Sequence, residues 1–94
     1  MAAYLFVEIS EIRDEEMYLL YIQRAGPIIE KYGGEYILRS NKISAISGST
    51  NLVRALLIKF ESLDLLRECF SSKEYNEIKH LRENSVESEG IVIE

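Results

Sequence analysis

The chain has 94 residues, of which 47% are hydrophobic and 29% charged, and its formal net charge is −5. A length near ~100 residues is typical of one folded domain, and this composition argues against disorder. Excess negative charge disfavours nucleic acid as a partner, because binding phosphates requires a basic face. The single cysteine cannot form an intrachain disulfide, so we expect a cytoplasmic protein.

The amino-terminal segment is predicted to be a strand, because Ala2–Ile9 is rich in aromatic and β-branched residues. Its apolar run closes at Glu8, which is too short for a signal peptide or a membrane span, so we expect no membrane partner. Asp14 then suits the N-cap of a helix, and Glu15 and Glu16 suit the positive end of its dipole.

The helix that follows Asp14 carries apolar residues in steps of three and four. Pro27 lies within it and removes one backbone donor, which predicts a kink or a break. Gly33 and Gly34 end the helix, since one of them takes a left-handed conformation after the last turn. The predicted buried stripe consists of Met17, Leu20, Tyr21, Ala25, Ile28 and Tyr32.

Two further strands are predicted at Glu35–Arg39 and Leu52–Phe60. Between them, Ile43–Ser47 is either loop or a short strand extension. The chain closes with a strand at Ile91–Ile93, which starts as early as Val86 in one interpretation.

The second helical region is predicted in two segments. Ser62 suits the N-cap of the first, and Ser71 with Glu74 is typical of a capping box that starts the second. Two strand–helix–strand halves then span residues 1–94 as one α+β domain. We predict a ferredoxin-like sandwich (βαββαβ), in which four antiparallel strands form one sheet with both helices on one face.

Both faces of the predicted sheet are apolar, which predicts a homodimer. In the first strand Leu5, Val7 and Ile9 face one side, while Tyr4 and Phe6 face the other. The helices cover one face only. At ~25 cal/mol per Å² of apolar surface, leaving the other face in water would cost several kcal/mol of stability. We therefore expect a homodimer in which two copies pack sheet against sheet. The alternative is that the carboxyl-terminal segment or another protein covers this second face of the sheet.

Short segments spread over nearly the whole chain carry a family resemblance. They are Lys31–Tyr36, Arg39, Gly48, Arg54, Leu57–Phe60, Ser62 with Leu63, Ser72–Tyr75, Arg82 and Ile91–Glu94. Together they resemble the small family known as domain of unknown function thirteen-thirty, of the dimeric α+β-barrel superfamily. The resemblance implies the fold and the dimer, but no established reaction. Other superfamily members, such as cofactor-free monooxygenases, bind small organic molecules between sheet and helices.

Arg39 and Arg54 are the first candidates for ligand binding. Arg54 shares a strand face with apolar residues, which is unusual for a permanent charge. At the opening of a cleft, a guanidinium binds a carboxylate or an enolate. Alternatively, Arg54 pairs with Glu8 or Glu35 across the sheet, or extends to solvent.

Tyr36 and Tyr75 are further ligand-binding candidates, because a phenol donates a hydrogen bond to a ligand or to a partner subunit. His80 is the only histidine and a weak catalytic candidate, suited to proton transfer near neutral pH. Its polar neighbours favour the alternative, a solvated helix residue. Cys69 is predicted to be buried and unreactive. We predict no metal site and no cofactor, since no ligand set has suitable spacing.

Two classes of function stay open. In the first, the chain binds a small acidic or aromatic metabolite, or converts it without a cofactor, in a cleft between sheet and helices. In the second, it is a non-catalytic homodimeric binding or interaction module. A cavity of ~300 Å³ or more with a few converging polar groups favours the first class. An apolar patch left exposed after dimerisation favours the second.

Overall fold

The computed structural model describes all residues from Met1 to Glu94. Its elements are β1 (Ala3–Ile12), α1 (Glu15–Lys31), β2 (Glu35–Ser40), β3 (Arg54–Phe60), α2 (Leu63–Ser71), α3 (Lys73–Ser85) and β4 (Val86–Ile93). The four strands pair antiparallel in the order β2-β3-β1-β4, with the helices on one face, which confirms the predicted ferredoxin-like α+β fold. None of the helices has the length and apolar character needed to span a bilayer.

Helix α1 begins and ends where the sequence predicts. Asp14 Oδ1 accepts the backbone N–H of Met17 at 3.0 Å, and Gly33 has a φ of +83° after the last turn. The helix continues through Pro27, so the predicted break does not occur. Proline removes only one donor, and the buried residues Ala25 and Ile29 on either side hold the helix against the core.

The buried side of α1 is rotated from the predicted stripe. Tyr18, Tyr21, Ala25 and Ile29 are buried, whereas Leu20 is 36% exposed. The stripe that the helix buries therefore includes Tyr18, which the apolar spacing missed because leucine and tyrosine residues lie on both sides of this helix.

Two boundaries in the second half differ from the prediction. Ile43–Ser47 lies in the loop between β2 and β3 and forms no strand, and β3 begins at Arg54 instead of Leu52. The closing strand takes the longer of the two expected forms and starts at Val86.

Ser72, not Ser71, caps helix α3. The Ser72 Oγ accepts the backbone N–H of Tyr75 at 3.2 Å, while Ser71 donates its hydroxyl to the preceding helix. Glu74 therefore makes no capping-box contact and instead binds Lys31 and the Tyr32 hydroxyl at the end of α1. Its bonds to Lys31 and then to Tyr32 lower the pKa of Glu74. The contact links α3 to the end of α1.

The core lies between the helices and the covered face of the sheet. Gly34 brings the end of α1 close to this core. A Cβ at this position would lie 2.4 Å from Cγ2 of Ile29 and 2.9 Å from Cζ of Phe60, closer than packed atoms approach. The glycine is therefore needed where the chain passes from α1 into β2.

The other face of the sheet carries no helix. Phe6 pairs with both Leu57 and Ile91, and Leu57 pairs with Leu38. Residues paired in this way share a face, so these four side chains form an apolar row across all four strands. Leu38 is 51% exposed and Ile91 47% exposed. We call Leu38, Leu57, Phe6 and Ile91 the open-face row.

Candidate functional site

A cavity of about 360 Å³ lies between the helices and the covered face of the sheet. Fourteen of its 19 lining residues are hydrophobic. Sites for small molecules typically span ~300–1,000 Å³ and have mostly apolar walls, so this cavity is large enough for one. The exposed members of the lining, Lys79, Glu89 and Gly90, mark an opening between α3 and β4. We call this space the apolar cavity.

Strand alternation and the buried side of α1 build the walls of the apolar cavity. Leu5, Val7 and Ile9 of β1 face it from the side that the sequence predicts. Tyr18 and Tyr21 face it from α1 because the helix turns these two residues inward.

A connected group of polar side chains lies within the apolar wall. The hydroxyl oxygens of Tyr21 and Tyr75 are 2.9 Å apart, and Arg82 Nε donates to the Tyr75 hydroxyl at 3.2 Å. Arg82 Nη1 also donates to Ser88 Oγ on β4 at 3.4 Å. Burial, and then the adjacent Tyr75 phenol, raise the pKa of Tyr21, so this phenol stays protonated. We call Tyr21, Tyr75, Arg82 and Ser88 the polar cluster.

A second, wholly polar cavity lies where β2 ends and β3 begins. It is lined by Arg39, Ser40, Asn41, Lys42 and Arg54, with no carboxylate among them. Three cations with no carboxylate in the same lining create a local positive potential, which attracts anions.

Two tyrosines separate the polar cavity from the apolar one. The Arg39 guanidinium lies 4.6 Å from the ring centroid of Tyr36, and that of Arg54 lies 5.4 Å from the ring of Tyr18. Both rings also line the apolar cavity. Burial raises the pKa of Tyr18 and of Tyr36, an effect that Arg54 and Arg39 oppose. The two arginines thus lie against aromatic rings in cation–π contacts, with their remaining donors free.

The alternative in which Arg54 pairs with Glu8 or Glu35 is wrong. Glu8 pairs with Ala55 and Glu35 with Lys59, which places both carboxylates on the open face. Arg54 pairs with Ile9, which lies on the covered face. The ion pairs of the protein involve only Arg13 and Lys31 as cations, so Arg39 and Arg54 carry unpaired charge.

Comparison with known families assigns the chain to one of them. A family model for a domain of unknown function, DUF1330, matches residues 2–94. The chain belongs to the DUF1330 family. No curated protein matches the sequence.

Solved structures show the same fold at low sequence identity. RPA0582, a protein of unknown function from Rhodopseudomonas palustris, has a TM-score of 0.80 at 16% identity, over 98% of this chain and 80% of that chain. SnoaB, a cofactor-independent oxygenase from Streptomyces nogalater, has a TM-score of 0.64 at 6% identity, over 99% of this chain and 89% of that chain. A dimeric protein of unknown function and ferredoxin-like fold from Bacteroides fragilis has a TM-score of 0.55 at 16% identity, over 99% of this chain and 95% of that chain.

The structure divides the five candidate residues of this DUF1330 chain into three groups. Tyr36 and Tyr75 line the apolar cavity, and Arg39 and Arg54 line the polar cavity behind Tyr18 and Tyr36. His80 is exposed on α3 and lines neither cavity.

Arg82 is a functional candidate that the sequence patterns did not indicate. It lies seven residues after Tyr75, which places both on one face of α3 together with the buried Ile78. This spacing in the sequence could have identified Arg82, since a guanidinium in a buried stripe needs a partner.

Cys69 is buried, as the sequence predicts. Burial raises the pKa of its thiol to about 11, which keeps the thiol protonated.

Proposed function

We propose that this DUF1330 chain binds a small acidic or aromatic metabolite in the apolar cavity, as a homodimer in the cytoplasm. The observation that carries the proposal is the cavity itself, with about 360 Å³ of mostly apolar space and one polar cluster in its wall. Binding is better supported than conversion, because no histidine lines the cavity to transfer a proton at neutral pH. We propose no cofactor.

The charge around the two cavities supports an anionic ligand. Five of the eleven basic side chains of the protein line them. Glu89 is the only acidic residue beside them, and it pairs with Glu8, which places its carboxylate on the open face. The protein as a whole carries a net charge of −5, so this positive region stands out from its surroundings. Such a local field raises the rate at which anions reach a site. We propose Arg39 and Arg54 as ligand-binding residues on this basis.

The open-face row supports the homodimer. Four apolar side chains in register across the sheet form a patch that an identical sheet covers by two-fold symmetry. The dimeric state of the B. fragilis protein of similar fold is consistent with this proposal.

A thermal-shift screen against small carboxylates and phenolic acids tests the proposed function. A ligand present at about 100 times its Kd adds ~2.7 kcal/mol, which raises the Tm of a domain of this size by several degrees. We expect at least one such ligand, with a smaller shift for Arg54→Ala and for Arg82→Ala, each compared with its own unliganded Tm.

Arg24→Ala is the matched control, because Arg24 is exposed on α1 and lines neither cavity. The control should keep the full shift. A panel without any stabilising compound, or equal shifts in all four proteins, contradicts the proposal.

A further inference from the structure

The hydrogen bonds of the polar cluster leave one phenolic proton without an acceptor. The Tyr21 hydroxyl contacts only the Tyr75 hydroxyl, and the latter contacts only Tyr21 and Arg82 Nε. Each phenol has one proton to donate, and a guanidinium only donates. If Tyr75 donates to Tyr21, the proton of Tyr21 is left over. If Tyr21 donates, the Tyr75 oxygen accepts two bonds and its own proton is left over.

The remaining groups of the cluster are also donors. Arg82 has five N–H groups, of which one is directed to Tyr75 and one to Ser88. The Ser88 hydroxyl donates to no protein group, and the nearby Lys79 adds a further cation at the opening. Glu89 is the only acidic residue in the lining; it pairs with Glu8, which places its carboxylate on the open face, and it forms no hydrogen bond with the cluster. The cluster therefore has more donors than acceptors.

A buried donor without an acceptor costs free energy, so an acceptor completes this arrangement. Tyr21 and Tyr75 are 8% and 4% exposed, and both line the apolar cavity, which places that acceptor on a molecule in the cavity. Hydrogen bonds to a charged oxygen are stronger than those to a neutral one, and the Arg82 charge adds to the difference. Apolar and aromatic walls surround the rest of such a molecule.

We propose that Tyr21, Tyr75 and Arg82 bind an anionic oxygen at one end of an aromatic ligand, a phenolate or an aryl carboxylate. This inference rests on the proposed function and names the chemistry of its ligand. The cluster selects for the charged oxygen, and the apolar walls select for the ring.

Three probes of similar size test the inference by calorimetry: 4-nitrophenol, 4-nitrobenzoate and the neutral 4-nitroanisole. We expect an anionic probe to bind at least about ten times more tightly than 4-nitroanisole. In Tyr21→Phe, the affinity for that anion falls about ten-fold, while that for 4-nitroanisole changes less than two-fold. Tyr75→Phe gives the same result, and the anion that responds distinguishes phenolate from carboxylate.

The absorbance of 4-nitrophenol gives a second readout that a structural role of the tyrosines does not affect. The site favours the phenolate, so the bound probe ionises at lower pH than the free probe, and Tyr21→Phe removes this difference. Tyr32→Phe is the matched control, because the Tyr32 hydroxyl donates to Glu74 outside the cavity.

Two failures are distinguishable. If 4-nitroanisole binds as tightly as both anions and Tyr21→Phe changes nothing, the inference is overturned and the proposed function stands. If none of the three probes binds although the thermal-shift screen yields a ligand that is not aromatic, the inference is overturned and the proposed function stands. If the screen also yields no ligand, both are overturned.

Discussion

We expect the double variant Leu38→Asp, Ile91→Asp to be a monomer under conditions in which the unmodified protein is a dimer. Leu38 and Ile91 lie at opposite ends of the open-face row, and their side chains are 51% and 47% exposed in the single chain. In the dimer, aspartates there bury charge in an apolar interface and face like charges across the two-fold axis, which costs several kcal/mol. At 1.4 kcal/mol for each ten-fold, the dimer Kd rises by about 100-fold or more.

Light scattering coupled to size-exclusion chromatography at micromolar concentration measures this change. The matched control is Leu19→Asp, Leu20→Asp on α1, whose side chains are 49% and 36% exposed on the helical side of the protein. The control should remain dimeric, and circular dichroism should show both variants folded. An unmodified protein that is already monomeric, or a double variant that stays dimeric, excludes the sheet face as the interface.

We expect Val7→Phe to abolish ligand binding while the fold is retained. Val7 is half-buried on β1, faces the apolar cavity, and pairs with Leu56 on one side and Gly90 on the other. The missing side chain of Gly90 leaves space beside Val7 that a phenyl ring occupies. Filling a cavity with apolar atoms commonly stabilises a protein by ~0.5–2 kcal/mol, so the Tm stays level or rises. The space for a ligand is lost, and we expect the Kd to rise at least about 100-fold.

Calorimetry with the best ligand of the thermal screen tests this prediction, with the Tm of the unliganded variant as the check on folding. Val53→Phe is the control, because it introduces the same side chain at a position that is 44% exposed and lines neither cavity. If Val7→Phe binds as tightly as the unmodified protein, the ligand does not occupy this cavity.

The fold followed from local patterns that act over a few residues. The N-cap at Asp14, the left-handed Gly33 and the two-sided apolar alternation of β1 each determine an element without reference to the rest of the chain. Where a prediction depended on choosing between neighbours, it was less accurate. Ser71 and Ser72 are both good caps in isolation. Ser71 is the last residue of α2 and donates to the Arg67 carbonyl of that helix, whereas Ser72 accepts the backbone N–H of Tyr75 and caps α3.

The site was harder to predict, because it depends on pairings between distant segments. Simple alternation places Tyr36 and Arg39 on opposite faces of β2. An irregularity between Tyr36 and Leu38 shifts the register and brings Tyr36 and Arg39 to the same covered face. The polar cluster likewise joins α1 to α3, since Tyr21 and Tyr75 are 54 residues apart in sequence. No local spacing predicts such a contact.

Methyl NMR of the protein with its best aromatic ligand tests whether the apolar cavity is the binding site. Leu5, Val7 and Ile58 line the cavity, whereas Leu57 and Ile91 lie on the opposite face of the same sheet. A bound aromatic ring changes the chemical shifts of methyl groups close to it. We predict large changes at the three cavity residues and none at the two on the open face. Changes confined to the open face, or no change at saturating ligand, would show that the ligand does not occupy the apolar cavity.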